Sequence, residues 1–321
     1  MPTTLFYNRG LCCSSPRTMS HASVKIAYLK LPHSPELAVR SHGWPVLAPY
    51  TLENRTLLWA TDLPERGPSQ ILLKWGPGGL SITVFAQVPL SKADVRFVKD
   101  TVRWMFRGGE DLSDFWQLCR SDPVLRQCAE SRAGVLMRSA TTFEDVVKTF
   151  CTINCHWRNT KRMVARLCSQ FGKPCGYGVD GATLHTFPTA EDLARATMPK
   201  LKSAGLGYRA DYVREFARSV SSGRLRTADW LRVDDIQALR RSLLDIRGIG
   251  PYGADHIIML LSRYDFVPCD SEVCAYLGFP SRTKPSVLET AIRRRYGRWG
   301  KYAFLAFKFE RHFQNSNYVD C

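Results

Sequence analysis

No stretch of this 321-residue chain is apolar for long enough to span a bilayer, so a membrane-crossing role is not expected. Acidic residues are scarce: 29 Asp and Glu stand against 45 Lys and Arg, the formal net charge is +16, and no carboxylate precedes Glu36. Such a surface concentrates polyanions and speeds encounter with them, so nucleic acid is the expected partner. The eleven cysteines are odd in number and scattered, and no secretory leader is read ahead of them, so a disulfide framework is not expected and a reducing compartment fits. Cys151 and Cys155 stand at helical spacing without a second pair of ligands nearby; they read as buried thiols, and no metal site is expected.

What is present suggests two domains, for which the length and 45% apolar content leave room. Residues 1–22, with Arg9, Arg17, several serines and two adjacent cysteines, read as a disordered tail or an over-long start with Met19 as a later one, and only weakly like an organelle transit peptide. Residues 23–109 have the texture of a small α+β domain. The runs VKIAYL, WPVLAPY, TLLWATDL, ILLKW and LSITVFAQV read as strands, Gly76-Pro77-Gly78-Gly79 as a hairpin turn, and 92–106 as an amphipathic helix. Residues 110–321 read as mainly helical, with a capping pair Thr141 and Glu144 and stripes through Phe143, Val147 and Phe150, then Thr160, Met163, Val164, Leu167 and Phe171. The fold class expected is therefore α+β, a β-rich first part followed by a helical second part.

The most informative stretch is 243–270. Ile236, Leu239, Leu243 and Ile246 step at helical spacing behind a capping pair, Asp234 and Gln237. The helix is expected to end at Arg247-Gly248-Ile249-Gly250, where two glycines permit a tight hairpin, and Pro251 suits the first position of a second helix with Ala254, Ile257, Ile258 and Leu261 inward. Amides left unpaired at that second start, helped by the helix dipole, suit a nucleic-acid phosphate. Carbonyls of the turn suit a monovalent cation. Asp270 follows after Pro268-Cys269, carried back toward the hairpin side.

This pattern resembles the helix-hairpin-helix (HhH-GPD) DNA glycosylases, in the branches of 3-methyladenine DNA glycosylase II and 8-oxoguanine DNA glycosylase. Gly248, Gly250, Ala254 and Asp270 fall where that family has its hairpin and its catalytic Asp. The resemblance implies a DNA grip at Arg247, Gly248, Gly250, Tyr252 and Gly253. The run Phe150-Cys151-Thr152-Ile153-Asn154 is similar to the loop with which the 8-oxoguanine branch enters the duplex; it implies a wedge at Asn154, with His156, Trp157 and Arg158 close to the strand. Cys155 and His156 replace further asparagines of that branch, which unsettles its opposite-base specificity here. The run Gly205-Leu206-Gly207-Tyr208-Arg209-Ala210 matches the same branch, where Tyr208 and Arg209 would be scaffold first and ligands second. The closing helix of the family walls the base pocket, for which Phe307 is nominated beside Tyr208 and Tyr252. Some members hold an iron–sulfur cluster on four cysteines after the catalytic domain; only Cys321 follows Cys274, so none is expected. The N-terminal part resembles these enzymes by layout only.

The chemistry implied is hydrolysis of the bond between a damaged base and C1′ of deoxyribose. Asp270 would stabilise the positive charge left on the sugar and orient water, after extrusion of the nucleotide from the duplex. Members that also nick DNA use a Lys two residues beyond the second hairpin glycine. That position is Tyr252, and no lysine lies between Lys202 and Lys284, so a monofunctional enzyme is expected. The aromatics Tyr208, Tyr252, Trp299 and Phe307 suggest attraction for a cationic base and hence alkylated purines. The rivals are an 8-oxoguanine-type glycosylase with lyase activity and, outside enzymes, a protein that recognises DNA damage or structure without cutting. Double-stranded DNA is the partner expected, met as a monomer inside the cell: in the nucleus, a mitochondrion or a plastid of a eukaryote, or the cytoplasm of a bacterium.

Overall fold

The computed structural model describes residues 23–76, 78–85, 89–178 and 181–314; the expectation for residues 1–22 lies outside them. Strands β1 (Ser23–Lys30), β2 (Tyr50–Glu53), β3 (Thr56–Leu63), β4 (Gly67–Gly76) and β5 (Gly79–Phe85) form one antiparallel sheet in the order β1-β5-β4-β3-β2. Its register pairs Trp59 with Ile71 and Leu73 with Ile82. The period of two then buries Leu57, Trp59, Ile71, Leu73, Ile82 and Val84. Gly76 pairs with Gly79, as a hairpin at that place requires.

One expected strand is absent. Within WPVLAPY, Trp44–Val46 is a 3-10 turn and pairing begins only at Tyr50, because Pro45 and Pro49 cannot donate to a ladder. The short helix α1 (Pro35–Arg40), which the sequence reading passed over, precedes this turn. Helix α2 (Lys92–Met105) falls where its periodicity places it, opened by a reciprocal capping box of Ser91 and Asp94, and packs on β1 and β3.

Beyond it come α3 (Ser113–Cys119), α4 (Arg126–Ser131), α5 (Thr142–Thr152), α6 (Trp157–Phe171), α7 (Ala190–Arg195), α8 (Met198–Leu201) and α9 (Arg209–Ser221). The chain ends its described part with α10 (Ile236–Leu244), α11 (Pro251–Leu260), α12 (Ser271–Tyr276), α13 (Pro285–Tyr296) and α14 (Ala303–Gln314). The helical run is broken by a small hairpin, β6 (Pro174–Tyr177) and β7 (Thr183–His185), tied to the large sheet by Gln70 Nε2 donating to the Tyr177 carbonyl at 3.0 Å. Among the described residues no helix is long and apolar enough to cross a membrane.

Helix α5 is the axis of the helical part, buried from Thr142 to Cys151 and packed by α6, α9 and α11. Thr141 caps it, accepting from Glu144 N at 3.1 Å. The expected reciprocal bond from Glu144 is replaced: its carboxylate pairs with Lys148 at 2.7 Å, and both side chains are buried. Such a pair adds little net stability, but losing one partner costs about 3–5 kcal/mol because the other charge is stranded.

Two buried arginines join the sheet side to the hairpin. Arg107, just past α2, donates to the carbonyls of Met259 (3.1 Å) and Leu260 (3.2 Å), and Arg138 donates to Leu260 at 3.3 Å. They add a second donor to the Met259 carbonyl, which already accepts from Ser262 N, pair that of Leu260, and oppose the negative end of the α11 dipole, worth up to about 2 kcal/mol in a partly buried setting. The orientation of α11 is thereby fixed from its C-terminal end.

Candidate active site

The hairpin forms where its glycines predict, with one shift at its start: the cap of α10 is Asp235, accepting from Gln237 N at 2.8 Å, whereas the backbone carbonyl of Asp234 receives Arg263. The two glycines differ in kind. Gly248 has φ +91°, and a Cβ there would lie 2.4 Å from the Tyr212 ring, so both conformation and space require glycine. Gly250 has an ordinary φ of −96° and nothing within 4 Å of where a Cβ would be. It starts α11 with no side-chain cap, so no side chain of its own competes with an arriving anion for the first-turn amides. The two hairpin helices are clamped by Arg240 and Asp255, joined at 2.6 and 3.2 Å. Arg247 is exposed and engaged with α9, pairing with Glu215 at 3.1 Å and lying over the Tyr212 ring.

Asp270 caps α12, its carboxylate accepting from Val273 N at 2.8 Å. Burial raises its carboxyl above the ordinary range and Glu272 adds to this, against the Val273 amide and Arg311, which lower it. Arg311 reaches this end of the site from α14, pairing with Glu272 at 2.8 Å. Tyr252, on the first turn of α11, lies within the field of Asp270. Burial pushes its phenol up to about 12, and the hydroxyl donates to Thr152 on α5 at 3.4 Å. Hairpin, carboxylate and the residue at the lyase-lysine position thus share one neighbourhood.

The α5–α6 turn sits beside them. Asn154 is exposed at φ +47°, and the carbonyls of Ile153 and Asn154 accept from Arg209, which therefore acts as the scaffold expected of it. Ile153 touches Gly253: a Cβ on that glycine would meet Ile153 Cδ1 at 3.4 Å. His156 and Arg158 are exposed at the same tip. Trp157 is not, contrary to its expected place near the strand. Its ring covers Gly43, where a Cβ would sit 2.7 Å from Cζ2, because α6 turns this face onto the sheet side.

The expected base-pocket aromatics are not brought together. Tyr208 is 52% exposed and stacks edge-on with Tyr212. Phe307 is buried among Tyr276, Tyr296 and Phe304, and Trp299 packs on Phe115. Apolar side chains on the closing helix are core first. Likewise the basic residues before it are engaged at the surface, Arg295 with Glu310 at 3.2 Å and Lys301 with Asp114 at 3.8 Å.

Beside Tyr252 stands a ring cluster that the sequence reading missed. The His256 ring lies 5.7 Å from that of Tyr252, 4.8 Å from Trp44 and 5.8 Å from His42, and His42 stacks on Trp44 at 4.8 Å and 16°. Trp44 is anchored by Nε1 donating to Asp145 at 2.7 Å. Burial holds His256 down to about 3 and His42 well below the ordinary imidazole range; Lys308 of α14 pushes both the same way. The i,i+4 spacing of Tyr252 and His256 was visible in the sequence; the arrival of His42 and Lys308 from distant segments was not. Among the described residues no group of three His, Cys, Asp or Glu is placed to hold a metal ion.

Residues 147–304 match the family described as HhH-GPD superfamily base excision DNA repair protein. A relative from Saccharomyces cerevisiae named N-glycosylase/DNA lyase is 32% identical over 154 residues, 44% of this chain and 41% of the yeast protein. One from Methanothermobacter thermautotrophicus, named a probable N-glycosylase/DNA lyase, is 26% identical over 75% of this chain and 82% of its own. The fold is similar to a 3-methyladenine DNA glycosylase from Archaeoglobus fulgidus, with TM-score 0.67, 17% identity, and coverage of 90% of this chain and 99% of that one. Residues 147–304 of this chain therefore belong to the HhH-GPD superfamily of base excision DNA repair proteins.

Proposed function

We propose that the chain is a monofunctional DNA N-glycosylase acting on double-stranded DNA. A backbone phosphate binds at the uncapped start of α11, at Gly250, Tyr252 and Gly253. Asn154, His156 and Arg158 press on the duplex from the neighbouring turn, and the base leaves the stack toward Tyr252 and His256. Asp270 stabilises the positive charge that the departing base leaves on the sugar and directs water to C1′. Burial already raises the energy of its ionised form, so the carboxylate gains most when that cation develops. The observation that carries the reading is that Asp270 lies near enough to Tyr252 to act on its phenol, and that a phenol, which cannot form an imine, stands at the position of the attacking amine. Water and the carboxylate suffice for the reaction as proposed.

Asp270→Asn keeps the cap on α12, because Asn and Asp cap equally well. The expected result is DNA affinity retained and base release reduced on the order of 100- to 1,000-fold, the cost of one electrostatic stabiliser. Unchanged release by this variant would remove Asp270 from the mechanism.

A second reading, a glycosylase that also cleaves the strand, is favoured by the names of the yeast and archaeal relatives. It requires an amine at C1′. Lys308 is an amine that the fold brings to the site, but on the side of His42 and His256, whereas the α14 cation that acts on Asp270 is Arg311.

A further inference from the structure

We propose that the cleft between the β4–β5 turn, the start of α1 and the end of α4 is a second binding site, and that it takes a small organic acid, a carboxylate or phosphate monoester carried on an apolar body. The inference is independent of the glycosylase reading. Leu31 of the cleft wall packs on Gly108, 3.2 Å from where a Cβ would stand, next to the Arg107 that braces the C-terminal end of α11. The length of that helix, roughly 15 Å, separates this brace from the hairpin.

The cleft has a volume of about 320 Å³, within the range of small-molecule sites, and Leu31 and Pro35 give it apolar wall. Trp75, which also lines it, is 3% exposed, and its indole Nε1 is buried without a hydrogen-bond partner in the protein. An indole N–H only donates, so what it lacks is an acceptor. His33, 2% exposed, lines the same cleft, and neither of its ring nitrogens has a partner in hydrogen-bond geometry. The Phe106 backbone and Glu110 are near enough to act on the ring, but burial outweighs them and holds the imidazole below its ordinary range, so at neutral pH it is uncharged. Buried polar groups left unpaired are costly, and a ligand that pairs them removes that cost.

Charge sets the sign of the ligand. Arg55 and Arg132 both line the cleft, and the carboxylate beside them, Glu36, is already shared between Arg40 at 3.2 Å and Arg55 at 3.8 Å. Among the described residues no carboxylate pairs with the Arg132 guanidinium. The Arg132 backbone, in the left-handed region at φ +53°, is tied across the cleft by its carbonyl accepting from Ser34 N at 3.0 Å. An anion therefore meets one unpaired guanidinium and a second in a loose surface pair, where a cation would be repelled by both. A guanidinium forks onto a carboxylate or a phosphate alike, so this chemistry is common to the two.

The test uses full-length protein with isotope-labelled tryptophan, titrated with phenyl phosphate, phenylacetate, inorganic phosphate and the neutral benzyl alcohol. Trp75→Phe identifies the Trp75 indole N–H resonance by its disappearance. At least one aromatic anion should move that resonance saturably at millimolar concentration, and the tighter of the two decides between phosphate and carboxylate. Inorganic phosphate and benzyl alcohol should each bind on the order of tenfold more weakly. Arg132→Ala should weaken the aromatic anion by a similar factor and leave base release unchanged. If Trp75→Phe misfolds, calorimetry with the native protein and Arg132→Ala, a change at an exposed residue, carries the same comparison. No saturable binding of either aromatic anion, an equal response to benzyl alcohol or to inorganic phosphate, or an affinity that Arg132→Ala leaves unchanged overturns the site. None of these results bears on Asp270, whose test is base release.

Discussion

The hairpin and the ring cluster beside Tyr252 are built in opposite ways. The hairpin is local in sequence: α10, two glycines, α11 and Asp270 occupy 35 consecutive positions, 236–270, and distant residues, Arg107, Arg138 and Tyr212, only brace it. The ring cluster is assembled from His42 and Trp44, on a turn that the Trp157 ring covers at Gly43, and from Tyr252 and His256 on α11, segments more than 200 positions apart in sequence. A grip common to any duplex can reside in a local motif. A cluster whose parts come from separate segments can instead be changed piecemeal.

Substitutions separate the two regions. Trp44→Ala should have the largest effect on stability, about 3–5 kcal/mol, the usual cost of deleting a large buried aromatic. It also takes from buried Asp145 its indole donor, leaving Ser139 N at 2.9 Å. Urea unfolding measures this, and a loss under about 1 kcal/mol would show that the turn is not a structural anchor. Gly248→Ala should cost roughly 1–3 kcal/mol, from backbone strain and displacement of Tyr212. Gly250→Ala is the contrasting change. Its backbone is ordinary and its surroundings open, so stability should move by no more than about 0.5 kcal/mol while affinity for damaged and undamaged duplexes falls together, by roughly tenfold. Equal behaviour of the two glycines in paired unfolding and binding titrations would erase the distinction drawn here.

Protons separate the regions too. Asp270 has a raised carboxyl, so the acid limb of the release profile should lie above the ordinary carboxylate range, rising as that proton leaves. His256 is lowered from 6.5 to about 3, so the unfolded chain binds the proton more readily than the folded one. The stability it contributes is complete above pH 6.5 and is lost as pH falls toward 3. Denaturation midpoints at pH 7, 5.5 and 4 should decline, and His256→Gln should flatten that decline. An unchanged slope in the variant would place the acid sensitivity elsewhere, for instance at His42 or His33, whose imidazoles burial also holds down.

Much of the fold was legible where a local rule governs. Period two marked four of the five strands of the main sheet, period 3.6 marked α2, α5 and α6, and the glycine pair marked the hairpin. Legibility failed where local signals compete. Trp44–Tyr50 lies in a β-rich run, and its two prolines, Pro45 and Pro49, which deny a ladder, were outweighed by the aromatic and branched residues around them. At Asp234-Asp235 two equivalent caps stood side by side, and tertiary contact with Arg263 decided between them. Of the site, Asp270, Tyr252 and the Asn154 turn follow from the hairpin and its resemblance. The pocket aromatics failed for a different reason: on a closing helix rich in Phe and Tyr, the sequence does not say which rings fill the core. Lys308, set among Phe307 and Phe309, was the odd residue that could have been noticed.

The most direct test of the central claim is the state of the DNA after base release. Labelled lesion duplexes incubated with the protein should remain intact in neutral gels and break only after alkali, and borohydride added during turnover should trap no protein–DNA adduct, because Tyr252 stands where an imine-forming lysine would be. Abundant adduct with strand breaks before alkali would contradict the account, and its loss in Lys308→Met would identify the amine responsible.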